Sequence, residues 1–412
     1  MPGEMADDRA IPGLRTPLSR RSFLRSAGGA AGLMALGPLL AACAGEDEGL
    51  AGDPAGVVHV ANWPLYLDRQ RDAEGNLLRP SLLRFTDETG IEVNYREVIS
   101  DAEGFYQQIV PYLSSGRPTG WDVMVITNGL TMTKLIGLDY LEPLDAGQRP
   151  NFDRYAAEAF LDPAYDRGAR FSMPWQSGIT GFAYNPALTG RRLTSLDELF
   201  NPEWAGRVGM FGDSVDMPNL TMVALGIDPE VSTPEDWQVT ADALRSQRAN
   251  GIVNRGFRQN YVQALANGDV AVSMAWSGDI FQANAIGAEE GLRFVVPDEG
   301  AILWTDAMVI PQRAEHPVDA MRFMDFVFDP EIAALIAAYV NYVTPVPEAR
   351  AVLLNQAEHA ASEGERAALL NVADGPLVFP AEEDLASLKT YRELADDDEI
   401  ALWDEAFSEF YV

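Results

Sequence analysis

The stretch "WDVMVIT", residues 121–127, decides the fold class. Four consecutive apolar residues, Val123 to Ile126, follow an acid and run into a polar residue. A run this short, apolar on both faces, reads as a strand covered on both sides, the pattern of a parallel sheet flanked by helices. Its neighbours agree. "GLTMTKLIGLD" (129–139) reads as the helix that follows it. Upstream come a strand "VVHVAN" (57–62), a helix "RPSLLRFTDETG" (79–90) stopped by Gly90, a strand "IEVNYREV" (91–98) and a helix over 102–116 disturbed by Pro111. Strands alternating with helices predict an α/β domain with a mainly parallel sheet.

The theme recurs downstream. "RVGMF" (207–211), "VAVSMAW" (270–276), "FVVP" (294–297) and "AILWTDAMVIP" (301–311) read as strands, with helical stretches over 214–226, 234–251 and 258–269. Residues 317–340 give two helices split at Asp329-Pro330, and the charged remainder from about 350 is helical around a break at "GPLVFP" (375–380). A chain of 412 residues, 47% of them hydrophobic, is ample for more than one core. Two α/β lobes make a cleft, and ligands bind outside the carboxyl ends of parallel strands.

A formal net charge of −32 argues against nucleic acid and against a body lying on anionic lipid; it favours cationic ligands. The first 42 residues read as an address. "LSRRSFLRS" (18–26) has the twin-arginine pattern at Arg20-Arg21, and a weakly apolar run ends in "LAAC" (40–43), which resembles a lipobox. Residues 1–42 are thus expected to be a twin-arginine lipoprotein signal, with Cys43 as the lipidation site. Cys43 is the only cysteine, so no intramolecular disulfide forms. Residues 43–56 read as a flexible acidic tether.

The strand ends carry a coherent set of side chains. Trp63 and Tyr66 follow the first strand, Thr127 ends "WDVMVIT", Asp213 and Asp216 follow 207–211, and Trp276 closes 270–276. Trp304 and Asp306 lie inside the last strand, two apart and therefore on one face; Tyr342 stands where a helix ends. Carboxylates and aromatic faces without Lys or Arg suit an alkylammonium ligand: charge-assisted hydrogen bonds orient the nitrogens, and each cation over an indole gains about 0.5–2 kcal/mol. Each residue also has a plainer role. The tryptophans and Tyr342 suit core packing, Asp213 suits a helix cap, and Asp216 suits the first helical turn.

Nucleophilic or metal chemistry finds little purchase. Three histidines (His59, His316, His359) stand far apart in sequence, and neither G-x-S-x-G nor a zinc spacing occurs. A hydrolase using the Asp213/Asp216 pair would need a general acid across the substrate, which nothing signals. No cofactor or metal motif is present.

"NWPLY", "WDVMVIT", "SMPWQSGITGFAYN", "SLDELFNPEWAGRVGM", "GDSVDMPNLTMVALG", "GDVAVSMAWSGD", "EGAILWTDAMVIP" and "VTPVPEAR" together resemble the spermidine/putrescine-binding proteins, the extracytoplasmic receptors of polyamine ABC transporters. The resemblance runs from about Val57 to Arg350. It implies a two-lobed periplasmic-binding-protein-like α/β fold: lobe one of residues 57–176 plus 307–344, lobe two of 177–306 plus 345–412 with its C-terminal helices. It also implies an aromatic box of Trp63, Tyr66, Trp276, Trp304 and Tyr342, with Asp306 as the terminal-amine carboxylate. Asp213 and Asp216 would be a second acidic pair, Asp216 replacing a more usual Glu, and Thr127 would stand where a serine is expected. Trp175 and Gln176 lie near the crossover. One departure stands out: the loop after Thr127, Asn128-Gly129-Leu130, lacks the family's aromatic residue, which leaves one wall of the box thin.

The implied partners are a polyamine, ABC permease subunits with their ATPase, and the membrane through a lipid anchor only, for a monomer on the outer face of the cytoplasmic membrane. Alternatives are a receptor of the same fold for an opine, thiamine or ferric ion, and an amine sensor in place of a transporter component.

Overall fold

The computed structural model describes residues 55–411, apart from 73, 258–259, 287–290, 382–384, 386–387 and 395. The signal segment, Cys43 and nearly all of the tether lie outside the described residues.

The strands among the described residues are β1 Val57–Asn62, β2 Gln70–Arg71, β3 Leu77–Leu78, β4 Glu92–Glu97, β5 Val123–Thr127, β6 Ser172–Tyr184, β7 Val208–Phe211, β8 Val253–Phe257, β9 Val272–Trp276, β10 Arg293–Val295 and β11 Ile302–Val309. Nine form one sheet in the order β4-β1-β5-β11-β6-β9-β7-β8, with β10 pairing on β6; β2 and β3 form a separate small hairpin. Each end of the sheet is parallel: β1 with β4 and β5, β7 with β8 and β9. The middle is antiparallel, because β11 runs against β5 and β6, and β6 against β9 and β10. The sheet is therefore mixed, which corrects the expectation of a mainly parallel one. Two crossing strands join two parallel halves.

The reading of "WDVMVIT" holds because successive residues feed different cores. Val123 and Val125 point into one cluster with Val58, Val60, Phe85 and Phe323; Met124 and Ile126 point into another with Ala61, Phe105, Ile109 and Leu135. Helices Pro80–Thr89 and Pro317–Phe326 supply the first side; Ala102–Leu113 and Leu130–Gly137 supply the second. Pro111 lies inside its helix and does not end it. Gly90 caps the helix before it with φ +75°, as a left-handed stop requires.

β6 was not foreseen, although all thirteen of its residues are buried. Pro174, Gly178 and Gly181 interrupt its apolar pattern. In the fold the glycines permit close approach: a Cβ on Gly178 would lie 2.1 Å from Trp304 Cζ2, and one on Gly181 would lie 2.4 Å from the Val295 carbonyl. β8 also escaped, its Asn254-Arg255-Gly256 centre lacking any apolar pattern.

The register between β6 and β11 slips between Asp306 and Ala307: Gln176 faces Asp306 and Pro174 faces Ala307, leaving Trp175 as the extra residue of a bulge. Beyond the slip β11 pairs with β5; before it, β6 continues to its pairing with β9. The bulge thus marks the junction of the two halves.

The C-terminal segment divides. Helices Ala349–Glu358 and Glu363–Ala373 pack together and beside Pro330–Val340. Asp397–Phe407 instead packs on Pro234–Ala249, with Trp403 edge-on to Trp237 at 5.1 Å and Arg245 paired to Glu409 at 2.8 Å. Between them, residues 389–394 span both halves. Lys389 pairs with Asp228 (2.6 Å), the Arg392 N–H donates to Asn219 Oδ1 (2.9 Å), and Thr133 Oγ1 donates to Glu393 Oε2 (3.0 Å). Among the described residues no helix is long and apolar enough to cross a membrane.

Candidate ligand-binding site

The junction gathers the acids. Asp306, opposite both Thr127 of β5 and Gln176 of β6, is buried and accepts a hydrogen bond from Thr127 Oγ1 at 2.5 Å. Burial pushes its carboxyl up to about 6, against the lowering effect of Thr127 and Tyr66; the charge of Asp216 raises it further. Tyr66 couples to the same carboxylate, its own phenol raised by burial and then by Asp306. Its hydroxyl is buried and lacks a well-formed hydrogen bond among the described residues.

From the other half comes Asp216, the first residue of helix Asp216–Ala224, which follows β7. One oxygen accepts from Thr180 Oγ1 (2.5 Å) and the Tyr391 hydroxyl (2.7 Å), the other from Trp276 Nε1 (3.0 Å). Burial raises its carboxyl despite these three donors. Asp213 braces the turn before that helix: its Oδ1 accepts the backbone N–H groups of Val215 (2.8 Å) and Asp216 (2.5 Å), whereas the N-cap itself is Val215. Burial first, then the neighbouring Asp216, pushes it up to about 7. The two acids titrate as a pair.

The rings form two groups. Tyr342 sits edge-on to Tyr66 at 5.7 Å and tilted against Trp304 at 5.5 Å; Trp276 packs on Phe211 at 4.6 Å and Tyr261 at 6.0 Å. Asp279 ties the two groups, accepting from Tyr342 (3.0 Å) and Tyr261 (2.8 Å). Gly278 allows this, since a Cβ there would lie 2.4 Å from Tyr342 Cζ. Trp63 stands apart from both groups. Its indole N–H donates to the Val125 carbonyl at 3.1 Å, and it makes no ring contact with the other four aromatic residues among the described residues. The Trp304 indole N–H and Gln176 Oε1 are buried without partners among the described residues.

The fold therefore brings together Tyr66, Thr127, Asp213, Asp216, Trp276, Trp304, Asp306 and Tyr342. Sequence reasoning missed Asp279, Tyr261, Thr180 and Tyr391. Asp279 had a signal, three residues beyond Trp276 on the helix after β9. Tyr391 had none, lying in a charged segment without periodicity. Its ring packs beside Gly129, where a Cβ would lie 3.6 Å from Tyr391 Cδ2, so it stands next to the loop that lacks an aromatic residue.

The side-chain partners of Asp216 and Asp306 are neutral hydroxyl and indole groups. Such donors solvate a carboxylate without balancing its charge, so the site favours a cation. A family model described as bacterial extracellular solute-binding protein matches residues 83–363. The chain belongs to that family.

Relatives of this solute-binding protein carry the name that its motifs resemble. It is 29% identical over 370 residues to a putrescine-binding periplasmic protein of Pseudomonas aeruginosa, covering 84% of this chain and 91% of the relative. It is 27% identical over 270 residues to spermidine/putrescine-binding periplasmic protein 1 of Haemophilus influenzae, covering 65% of this chain and 72% of the relative. Among solved structures, the spermidine/putrescine ABC transporter substrate-binding protein of Streptococcus pneumoniae superposes with a TM-score of 0.68 at 24% identity, covering 86% of this chain and 98% of that one. This last likeness establishes the two-lobed solute-binding fold.

Proposed function

We propose that this solute-binding protein is a lipid-anchored extracytoplasmic receptor that binds a polyamine, spermidine or putrescine, and delivers it to an ABC permease and its ATPase. One observation carries the reading: Asp216 and Asp306, reaching in from the two halves of the sheet, share an aromatic lining and have neutral side-chain partners. The names of the relatives support the same ligand class.

In this reading one ammonium pairs with Asp306, held by Thr127, and another with the Asp213/Asp216 pair. The methylenes lie against Tyr66, Trp276, Trp304 and Tyr342, and Trp63 shapes the wall by holding the middle of β5 at Val125. Lobe one (57–176 with 307–344, and with helices Ala349–Glu358 and Glu363–Ala373 packed beside it, not in lobe two as expected) and lobe two (177–306 with helix Asp397–Phe407) close about the bulge in β6 and β11. A twin-arginine signal (1–42) and lipidation of Cys43 tether a monomer to the outer face of the cytoplasmic membrane, which fits the acidic stretch after it.

The test is calorimetric titration of the purified protein with putrescine and spermidine, beside cadaverine, arginine and thiamine. A polyamine should bind one to one and raise the melting temperature by mass action. Saturation by thiamine or arginine with no response to any polyamine would sink the proposal.

A further inference from the structure

Two of the chain's three histidines meet at one buried carboxylate. One ring nitrogen of His59, one of His316 and one oxygen of Asp122 lie within 4.8 Å of one another. His59 is the third residue of β1, Asp122 directly precedes β5, and His316 precedes the helix Pro317–Phe326. The imidazole rings are 5.5 Å apart, centroid to centroid.

The cluster is held by its backbone as well as its side chains. Asp122 Oδ2 accepts the His59 backbone N–H, and Oδ1 accepts that of His316, both at 2.9 Å. The Asp122 N–H returns a hydrogen bond to the His59 carbonyl, also at 2.9 Å. Each ring is then fixed through Nδ1. That of His316 lies 2.9 Å from Asp122 Oδ2, and that of His59 lies 3.0 Å from the side-chain amide of Asn94, its register partner on β4. The Asn94 amide holds His59 Nδ1 and leaves its Nε2 free to ligate, the arrangement that orients metal-ligating histidines, whereas His316 Nδ1 and Asp122 Oδ2, already side by side, would both ligate, an ion taking the place of the proton between them. The Asn94 amide can present either its NH2 or its carbonyl, so it serves either tautomer.

We propose that His59, His316 and Asp122 form a binding site for one divalent transition-metal ion of the zinc class, with water filling the remaining positions. Imidazole selects Zn²⁺, Ni²⁺ or Cu²⁺ over the hard cations that acidic surfaces attract. Tetrahedral ligation puts donor atoms ~3.4 Å apart, so only small side-chain rotations are needed from separations of no more than 4.8 Å. A bound ion ties β1 and β5 to the start of helix Pro317–Phe326 and stiffens that half of the molecule. The site lies at the amino end of β5, whereas Thr127 ends its carboxyl end about 16 Å away along the strand. It is therefore separate from the acid–aromatic cluster and independent of the ligand bound there.

The experiment titrates the chelator-stripped full chain with ZnCl2 by calorimetry, with MgCl2 as the control for the general attraction of a chain of net charge −32. The expected result is one Zn²⁺ per chain with no matching Mg²⁺ event. His59→Gln and His316→Gln should each weaken Zn²⁺ by about tenfold or more. In wild type, zinc should shift the side-chain nitrogen resonances of two histidines and spare His359, a readout that needs no variant to fold. Zinc binding unchanged in a folded double variant, three unshifted histidines at saturating zinc, or equal response to magnesium would each overturn the assignment.

Discussion

The Tyr391 hydroxyl donates to Asp216 Oδ1 at 2.7 Å, although the two residues belong to distant parts of the chain. Tyr391 comes from the strap 389–394, whose neighbour Glu393 accepts from Thr133 on the opposite half. One short segment thus touches an acid of the candidate site and both halves around it. Its phenol, raised well above the usual tyrosine range by burial and then by Asp216, stays protonated and acts only as a donor.

Two variants separate the ring of Tyr391 from its hydroxyl. Tyr391→Phe keeps the ring beside Gly129 and leaves Asp216 with Thr180 and Trp276, so polyamine affinity should change less than about threefold. Tyr391→Ala opens the wall and admits water to a buried acid, weakening binding about tenfold. Equal affinities for wild type and both variants by calorimetry would remove Tyr391 from the site.

Asp306→Asn leaves an ammonium without its counter-charge. Binding of putrescine or spermidine should weaken more than tenfold, while the ligand-free protein melts at or above the wild-type temperature because a buried acid has been removed. Unchanged affinity would mean that Asp306 is not the ligand's partner.

The glycines under the rings give a test that touches no ligand-facing group. A Cβ at Gly278 would lie 2.4 Å from Tyr342 Cζ, and one at Gly178 would lie 2.1 Å from Trp304 Cζ2. Gly278→Ala and Gly178→Ala should each cost about 1–3 kcal/mol of stability by overpacking. Displaced rings should also weaken amine binding about tenfold, read by thermal melts and titration on the same samples. Loss of stability with wild-type affinity would show that these rings serve packing alone.

What was legible in the sequence follows from physics that is local. Strands β1, β5, β7, β9 and β11 announced themselves as apolar runs, and the site residues sit at the ends of the first four and inside β11. Strand β6 was illegible because its glycines answer to Trp304 and Val295, partners more than a hundred residues away. Tyr391 and the His59–His316 meeting were illegible for the same reason: nothing near them in sequence shows which surfaces they meet. The sheet's mixed character was hidden too, since an apolar run does not record the direction of its neighbours.

Cys43→Ser should release the protein from washed membranes into the soluble fraction without altering amine affinity, because no proposed ligand contact precedes Trp63. Fractionation with immunodetection reads the first effect and calorimetry the second. Equal membrane retention of the variant would sink the lipid anchor.

The pH dependence has a sign of its own. Asp306 is raised to about 6 and Asp213 to about 7, both by burial first, whereas carboxylates in the unfolded chain titrate near 4. Between about pH 4 and 7 the native state therefore holds more protons than the unfolded state, so these groups' contribution to stability falls as pH rises through that window. Ligand affinity runs the other way. A polyamine stays charged throughout, but a protonated carboxyl cannot pair with it, so affinity should rise about tenfold or more between pH 5.5 and 7.5. Binding near pH 6 should also release protons, making the calorimetric enthalpy depend on the ionisation heat of the buffer. In Asp306→Asn the part of the affinity change centred near pH 6 should vanish and the part centred near 7 remain. An affinity flat from pH 5.5 to 7.5 would mean that neither acid changes its protonation when the amine binds.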